Sequence, residues 1–248
     1  MTKIIFKQLK REKFAEFIFD MKECFSAEDL HREGSCFYFD IPKDIVKEIL
    51  DSERLTDKLK EKIITLVKDN KQIDKKIVES MQKFWDENVN DLFFQEMERI
   101  MPQCSNSEYI CHITDKMVGS YFEKGGEVVV DWVKEKDMEY HTSIVAEEIL
   151  HLIYWKFWKQ LFGKDISLDE RFNIGEGYIN GWSISEAIPD YLLIRNPKFE
   201  KFKWNNIDRA KGYKWLINVG KKLDPLWKNK KDFKDFIIKS HEICGFMR

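Results

Sequence analysis

Residues 144–158 run Ile, Val, Ala, Glu, Glu, Ile, Leu, His, Leu, Ile, Tyr, Trp, Lys, Phe, Trp, apolar on nearly every side of a helix. A helix without a polar stripe has to be enclosed, so the rest of the chain must pack around it. With 248 residues the chain is long enough to do so. Three ionisable groups, Glu147, Glu148 and His151, sit in the middle of this stretch. An unpaired buried carboxylate costs several kcal/mol, so such groups persist only when paired, protonated or bound to a cation. Glu147 and His151 are spaced i,i+4, and Glu148 and His151 are i,i+3, which aims all three at a common region.

A second segment carries the same signature. In Trp182-Ser183-Ile184-Ser185-Glu186-Ala187-Ile188-Pro189-Asp190-Tyr191-Leu192-Leu193, two acids four residues apart interrupt an apolar run. They fall on one face of a helix. Pro189 removes a backbone donor there and forces a kink unless it lies in the first turn.

The elements around these two helices follow from periodicity. Helical spacing is expected over Phe6–Phe19 (Phe6, Leu9, Phe14, Phe17, Ile18), from Pro42 through Ile45, Val46, Ile49 and Leu50, and over about 56–67. A long amphipathic pattern covers 74–100 and ends before Pro102. Glu108–Thr114, Val118–Glu123 and Glu127–Trp132 are short and rich in β-branched and aromatic residues. Gly125-Gly126 separates the last two as a hairpin turn does. The expectation is a small antiparallel meander. Helices return over about 140–162, closed by Gly163, and over 183–195, 207–223 and 231–244. Residues 165–182 form a loop with Gly175, Gly177 and Gly181. The fold class expected is therefore α+β and mostly helical, with a small antiparallel sheet packed on the helix of Glu147 and His151. No repeat or linker divides the chain. It reads as one domain over 1–248: an N-terminal helical region (1–103), a core (104–195) and C-terminal helices (196–248).

In the segment Glu147-Glu148-Ile149-Leu150-His151 the spacing is that of the H-E-x-x-H metallopeptidase helix, with Glu147 in place of the first histidine. Together with Ser185-Glu186-Ala187-Ile188-Pro189-Asp190, it resembles the gluzincin superfamily, the thermolysin-like zinc metallopeptidases. The resemblance covers roughly residues 108–195. It implies a gluzincin-like core whose small sheet precedes the metal-site helix, with an edge strand along the substrate cleft. It implies Glu148 as general base for the attacking water, Glu147, His151 and Glu186 as metal ligands, and Asp190 as the acid that holds the first ligand from behind. It also implies Zn²⁺ as the ion and a peptide or protein as substrate. A Glu/His/Glu set is harder and more negative than His/His/Glu, which shifts preference toward Mn²⁺, Fe²⁺ or Mg²⁺ and weakens Lewis acidity. The expected function is a metal-dependent peptide hydrolase of gluzincin type, impaired or inactivated by that change. The alternative is a non-catalytic descendant that binds a peptide or a protein partner.

The remaining candidates are weaker. Tyr178, in the glycine-rich loop before Glu186, is placed as a transition-state donor. His141, seven residues before Glu148, is a spare ligand, although a cap or surface position is favoured. His112 on a strand, His241 in the last helix and His31 in a polar stretch are given structural or exposed roles. Glu28-x-x-His31 supplies a second E-x-x-H, but it lacks the long apolar helix a di-iron bundle needs. Trp155, Phe157, Trp158 and Trp182 are read as core.

Charge excludes other partners. Lys+Arg (42) nearly cancel Asp+Glu (44), so neither nucleic acid nor an anionic membrane is expected. The five cysteines are scattered without a C-x-x-C pair, which speaks against a disulfide framework and for a reducing cytoplasm. The N-terminal residues lack the apolar run of a signal peptide or a membrane span.

Overall fold

Along Lys3–Gln8, Ile4 and Phe6 are buried while Lys3 and Lys7 are exposed, the two-residue period of a strand. The structure, a computed structural model, describes residues 2–23, 41–66, 73–122, 125–164, 178–204 and 214–246. Its first element is strand β1 (Lys3–Gln8), followed by helix α1 (Arg11–Asp20). The single helix expected over Phe6–Phe19 is thus corrected to a strand and a helix. Phe6 and Leu9, three apart, fit a helical period, but Leu9 lies beyond β1, and the burial of Ile4 and Phe6 between exposed Lys3 and Lys7 follows the period of a strand.

Then come α2 (Lys43–Asp51), α3 (Asp57–Leu66) and α4 (Lys75–Phe84), which passes through a π turn at Trp85–Val89 into α5 (Asn90–Ile100). Strands β2 (Glu108–Thr114), β3 (Ser120–Phe122) and β4 (Glu127–Asp131) precede the long α6 (Met138–Phe162). Beyond it lie β5 (Tyr178–Ile179), α7 (Gly181–Pro189) with a π turn at Asp190–Ile194, α8 (Lys214–Lys228), α9 (Phe233–Glu242) and β6 (Gly245–Phe246). The class is α+β and mostly helical.

Packing divides the chain into two compact units, Met1–Asn90 with Ser107–Glu148, and Asp91–Asn106 with Ile149–Arg248. The first holds the sheet, in the order β1-β2-β4-β3. β1 and β4 both run parallel to β2, and only β3 with β4 is antiparallel. The sheet is therefore mixed, which corrects the antiparallel meander. The local hairpin signal was right: Gly125 and Gly126 take φ of 95° and 65° between β3 and β4. One of the two parallel partners of β2, β1, lies some hundred residues earlier, and nothing in local periodicity encodes such a pairing.

One face of the sheet is covered by α1, α2 and α3 through a cluster that includes Phe14, Phe17, Ile18, Ile49, Ile63, Phe122 and Val129. On the other, Phe6 lies 6.1 Å from Trp85. Gln82 pins α4 to β1, accepting from the Phe6 N–H (3.0 Å) and donating to the Ile4 carbonyl (2.9 Å).

The second unit is built on aromatic contacts. Trp158 packs on Phe162 and His241, and Phe157 on Phe233. Phe199 packs on Phe93 and Trp204. A buried carboxylate, Glu96, ties α5 to the segment after the π turn. It accepts from Arg99 (2.9 and 2.8 Å), Lys198 (2.6 Å) and Asn196 (3.1 Å). These bonds, Arg99 foremost, outweigh its desolvation and hold its pKa down at about 2. Among the described residues no helix is long and apolar enough to cross a membrane.

Candidate metal centre

α6 is buried along most of its length, as its apolar sequence requires. Val145, Ala146, Ile149, Leu150, Ile153 and Tyr154 have no exposed surface. Glu148 (8% exposed) and His151 (3%) are buried among them. Gly163, at φ 69°, ends the helix.

The second helix is fixed at its start. The Asn180 side chain accepts from the Ser183 N–H and the Ser183 hydroxyl accepts from the Asn180 N–H, both at 2.8 Å, a reciprocal cap. Pro189 closes α7, and the chain continues as a π turn in which the Arg195 N–H bonds the Asp190 carbonyl at 2.9 Å. The break expected at Pro189 takes this form, since a wider turn absorbs the missing donor.

Glu147, His151 and Glu186 each offer one ligand atom, and the three atoms lie within 4.8 Å of one another. The Nε2 of His151 is 3.6 Å from Oε1 of Glu186. Bonds of about 2.1 Å at a tetrahedral angle put ligand atoms about 3.4 Å apart, so the pair needs almost no adjustment and the farthest atoms a small carboxylate rotation. Burial pushes the His151 pKa down to about 3 and that of Glu186 up to about 7. His151 is therefore neutral, the state in which imidazole binds a metal, while Glu186 is poised to release a proton to a cation. The donor set of two carboxylates and one imidazole fits a divalent ion and leaves a coordination position open.

Glu148 faces the sheet. A Cβ added to Gly119, just before β3, would lie 2.7 Å from its Oε1 and 2.9 Å from Cγ2 of Ile144. Gly119 does not have a left-handed φ, so the missing side chain serves this close approach and not a turn. The Cys111 thiol is pushed up by burial and further by the Glu148 charge.

The other candidates fall elsewhere. The Asp190 carboxylate pairs with Arg195 (2.5 Å), and Arg195 also holds Asp224 (2.7 Å), which accepts from the Tyr191 hydroxyl (2.9 Å). Asp190, expected behind the first ligand, takes part in this ion-pair chain. His141, expected at a cap or the surface, is fully buried, stacked on Trp132 (4.1 Å), with Nε2 3.2 Å from the Val133 carbonyl. Tyr178 opens β5, but its side chain lies outside the described residues, as do Glu28 and His31. Cys104, Cys111 and Cys244 are free thiols.

Sequence reasoning missed Gly119 and Arg195. Val118-Gly119-Ser120 carries no motif, and Arg195 reaches Asp190 across five residues only because the turn is π. Compared with known proteins, the chain matches no family model, no curated protein and no solved structure.

Proposed function

We propose that the protein is a metal-dependent hydrolase of peptide bonds, with a gluzincin-like arrangement of its catalytic groups. The observation that carries the reading is the approach of Glu147, His151 and Glu186 to within 4.8 Å, on helices that otherwise bury apolar side chains. A divalent cation held there would polarise a carbonyl and acidify a water molecule. Zn²⁺ suits the imidazole, and Mn²⁺ or Fe²⁺ suits the two carboxylates better.

Glu148 takes the proton of the attacking water and delivers it to the leaving amine. Its neighbour Gly119 keeps the space in which the carboxylate sits. A peptide as substrate is supported by the position of β3, last in the strand order, which offers an extended segment its outer edge. The second reading is a non-catalytic peptide-binding module. It is favoured by the engagement of Asp190 with Arg195, which leaves the ligand set without the supporting acid of an active gluzincin.

The experiment is hydrolysis of a peptide library by protein reconstituted with Zn²⁺, Mn²⁺ or Fe²⁺. The hydrolase reading expects cleavage that Glu148→Gln reduces at least about a hundredfold, with bound metal unchanged. Stoichiometric metal without cleavage of any peptide overturns the hydrolase in favour of the binding module.

A further inference from the structure

β1 stands first in the order β1-β2-β4-β3 and pairs with β2 on one side only. The N–H groups of Lys3 and Leu9 point toward β2, where they bond the carbonyls of Ser107 (3.3 Å) and Ile113 (3.0 Å). Backbone groups on one side of a strand recur at every second residue. Thr2, Ile4 and Phe6 therefore turn their N–H and C=O groups away from the sheet. Such an edge is a template on which another chain can add a strand.

Among the described residues no strand lies there, and two side-chain amides take its place. Oε1 of Gln82 accepts from the Phe6 N–H at 3.0 Å, and its Nε2 donates to the Ile4 carbonyl at 2.9 Å. A residue of a parallel strand set opposite Ile5 would make the same two bonds. Nδ2 of Asn90 donates to the Thr2 carbonyl at 3.1 Å, the donor half of the next such pair. Both amides are held in this orientation. Nε2 of Gln82 also donates to Asp86 (3.0 Å), and Oδ1 of Asn90 accepts from the Trp85 indole N–H (3.1 Å).

The π turn at Trp85–Val89 is what lines the two amides up. Positions eight apart on an unbroken α-helix are turned by about 80° from each other. The extra residue of a π turn gives them the relation of positions seven apart, about 20°. The lysines of β1 act in the same sense. A second copy of β1 laid antiparallel, with Ile4 opposite Phe6, would set Lys3 against Lys7, a like-charge pair. We infer that Gln82 and Asn90 close the β1 edge. They stand in for a parallel strand and stop β1 from pairing with an extended segment of another chain. This closure belongs to the sheet and is independent of the metal centre.

The test uses the full chain and a fluorescent peptide that repeats β1 with glutamate in place of both lysines. Antiparallel pairing then sets each glutamate opposite a lysine. A scrambled peptide is the control. Wild type should bind the two alike. The double variant Gln82→Ala, Asn90→Ala should bind the β1 peptide at least about tenfold tighter than the scramble, read by anisotropy. A preference equally strong in wild type and variant, or absent from both, overturns the inference. Should the double variant fail to fold, Gln82→Met, which keeps the volume and loses both bonds, is read against the same outcomes.

Amide hydrogen exchange reads the closure in wild type. The Phe6 amide should exchange at least about a hundredfold more slowly than an unstructured one. Gln82→Met should abolish that protection and leave the Leu9 amide, bonded to Ile113 on β2, protected. Free exchange at Phe6 in wild type overturns the inference.

Discussion

The Nε2 of His151 and the Oε1 of Glu186 lie 3.6 Å apart, an imidazole on α6 facing a carboxyl group on α7, with 3% and 17% of their side chains exposed. Burial disfavours charge on both, lowering the first pKa to about 3, so that His151 is neutral, and raising the second to about 7, so that Glu186 keeps its proton far more readily than an exposed carboxyl. A cation bound as proposed would reverse the balance by restoring the Glu186 carboxylate. A ligand that binds only the folded state stabilises it by about 2.7 kcal/mol at a hundredfold excess over Kd. We expect Zn²⁺ or Mn²⁺ to raise the melting temperature by roughly 5–10 °C. Differential scanning fluorimetry should show the shift in wild type and its loss in His151→Ala.

In the proposed site, Glu147 would set which ion is preferred. Replacing a carboxylate by imidazole makes the set softer and removes one negative charge. Glu147→His should raise Zn²⁺ affinity relative to Mn²⁺ by roughly tenfold or more, read by competition with a chromogenic chelator. An unchanged ratio would mean that residue 147 does not touch the ion.

Gly119 and Glu148 should behave as a coupled pair. Gly119→Ala forces a methyl group within 2.7 Å of the carboxylate oxygen. Overpacking of this kind costs about 1–3 kcal/mol. In a Glu148→Ala background the same substitution should cost less, because the carboxylate is gone and of the two closest atoms only Cγ2 of Ile144, at 2.9 Å, still opposes the methyl group. Additive losses in chemical denaturation would show that the two side chains do not compete for space.

Two buried groups outside the centre make stability fall in acid, in separate windows. His112 on β2 is boxed by Phe17, Glu127, Lys13 and Lys7. Burial, aided by both lysines against Glu127, lowers its pKa from 6.5 to about 4. The unfolded chain therefore binds the proton first, and stability is lost as pH falls from 6.5 to 4. Glu96, held at about 2, keeps its contribution above 4.5 and loses it between 4.5 and 2. Urea titrations across pH should show the upper slope become shallower in His112→Leu, with buried His151 supplying the remainder, and the lower one become shallower in Glu96→Gln.

The helices were legible because their apolar spacing is local. The α6 sequence announced its own burial, Gly163 marked its end, and Pro189 marked the break after α7. β1 was hidden because Phe6 and Leu9, three apart, join the helical spacing of the residues that follow, and its partner β2 is distant in sequence. At the centre, spacing alone put Glu147 and His151 on one face, and the two-acid pattern singled out Glu186. What spacing does not encode is who competes for a charge. Arg195 claims Asp190, and Gly119 yields to Glu148, through contacts visible only in three dimensions.

The central claim is a cation held by Glu147, His151 and Glu186, and it is tested most directly by metal content. Protein purified without an affinity tag or chelator, then dialysed against equimolar Zn²⁺ and Mn²⁺, is analysed by inductively coupled plasma mass spectrometry. His151→Ala and Glu186→Ala are run beside it. The account predicts close to one ion per chain in wild type and little in either variant. Metal absent from wild type, or retained equally by both variants, would contradict it.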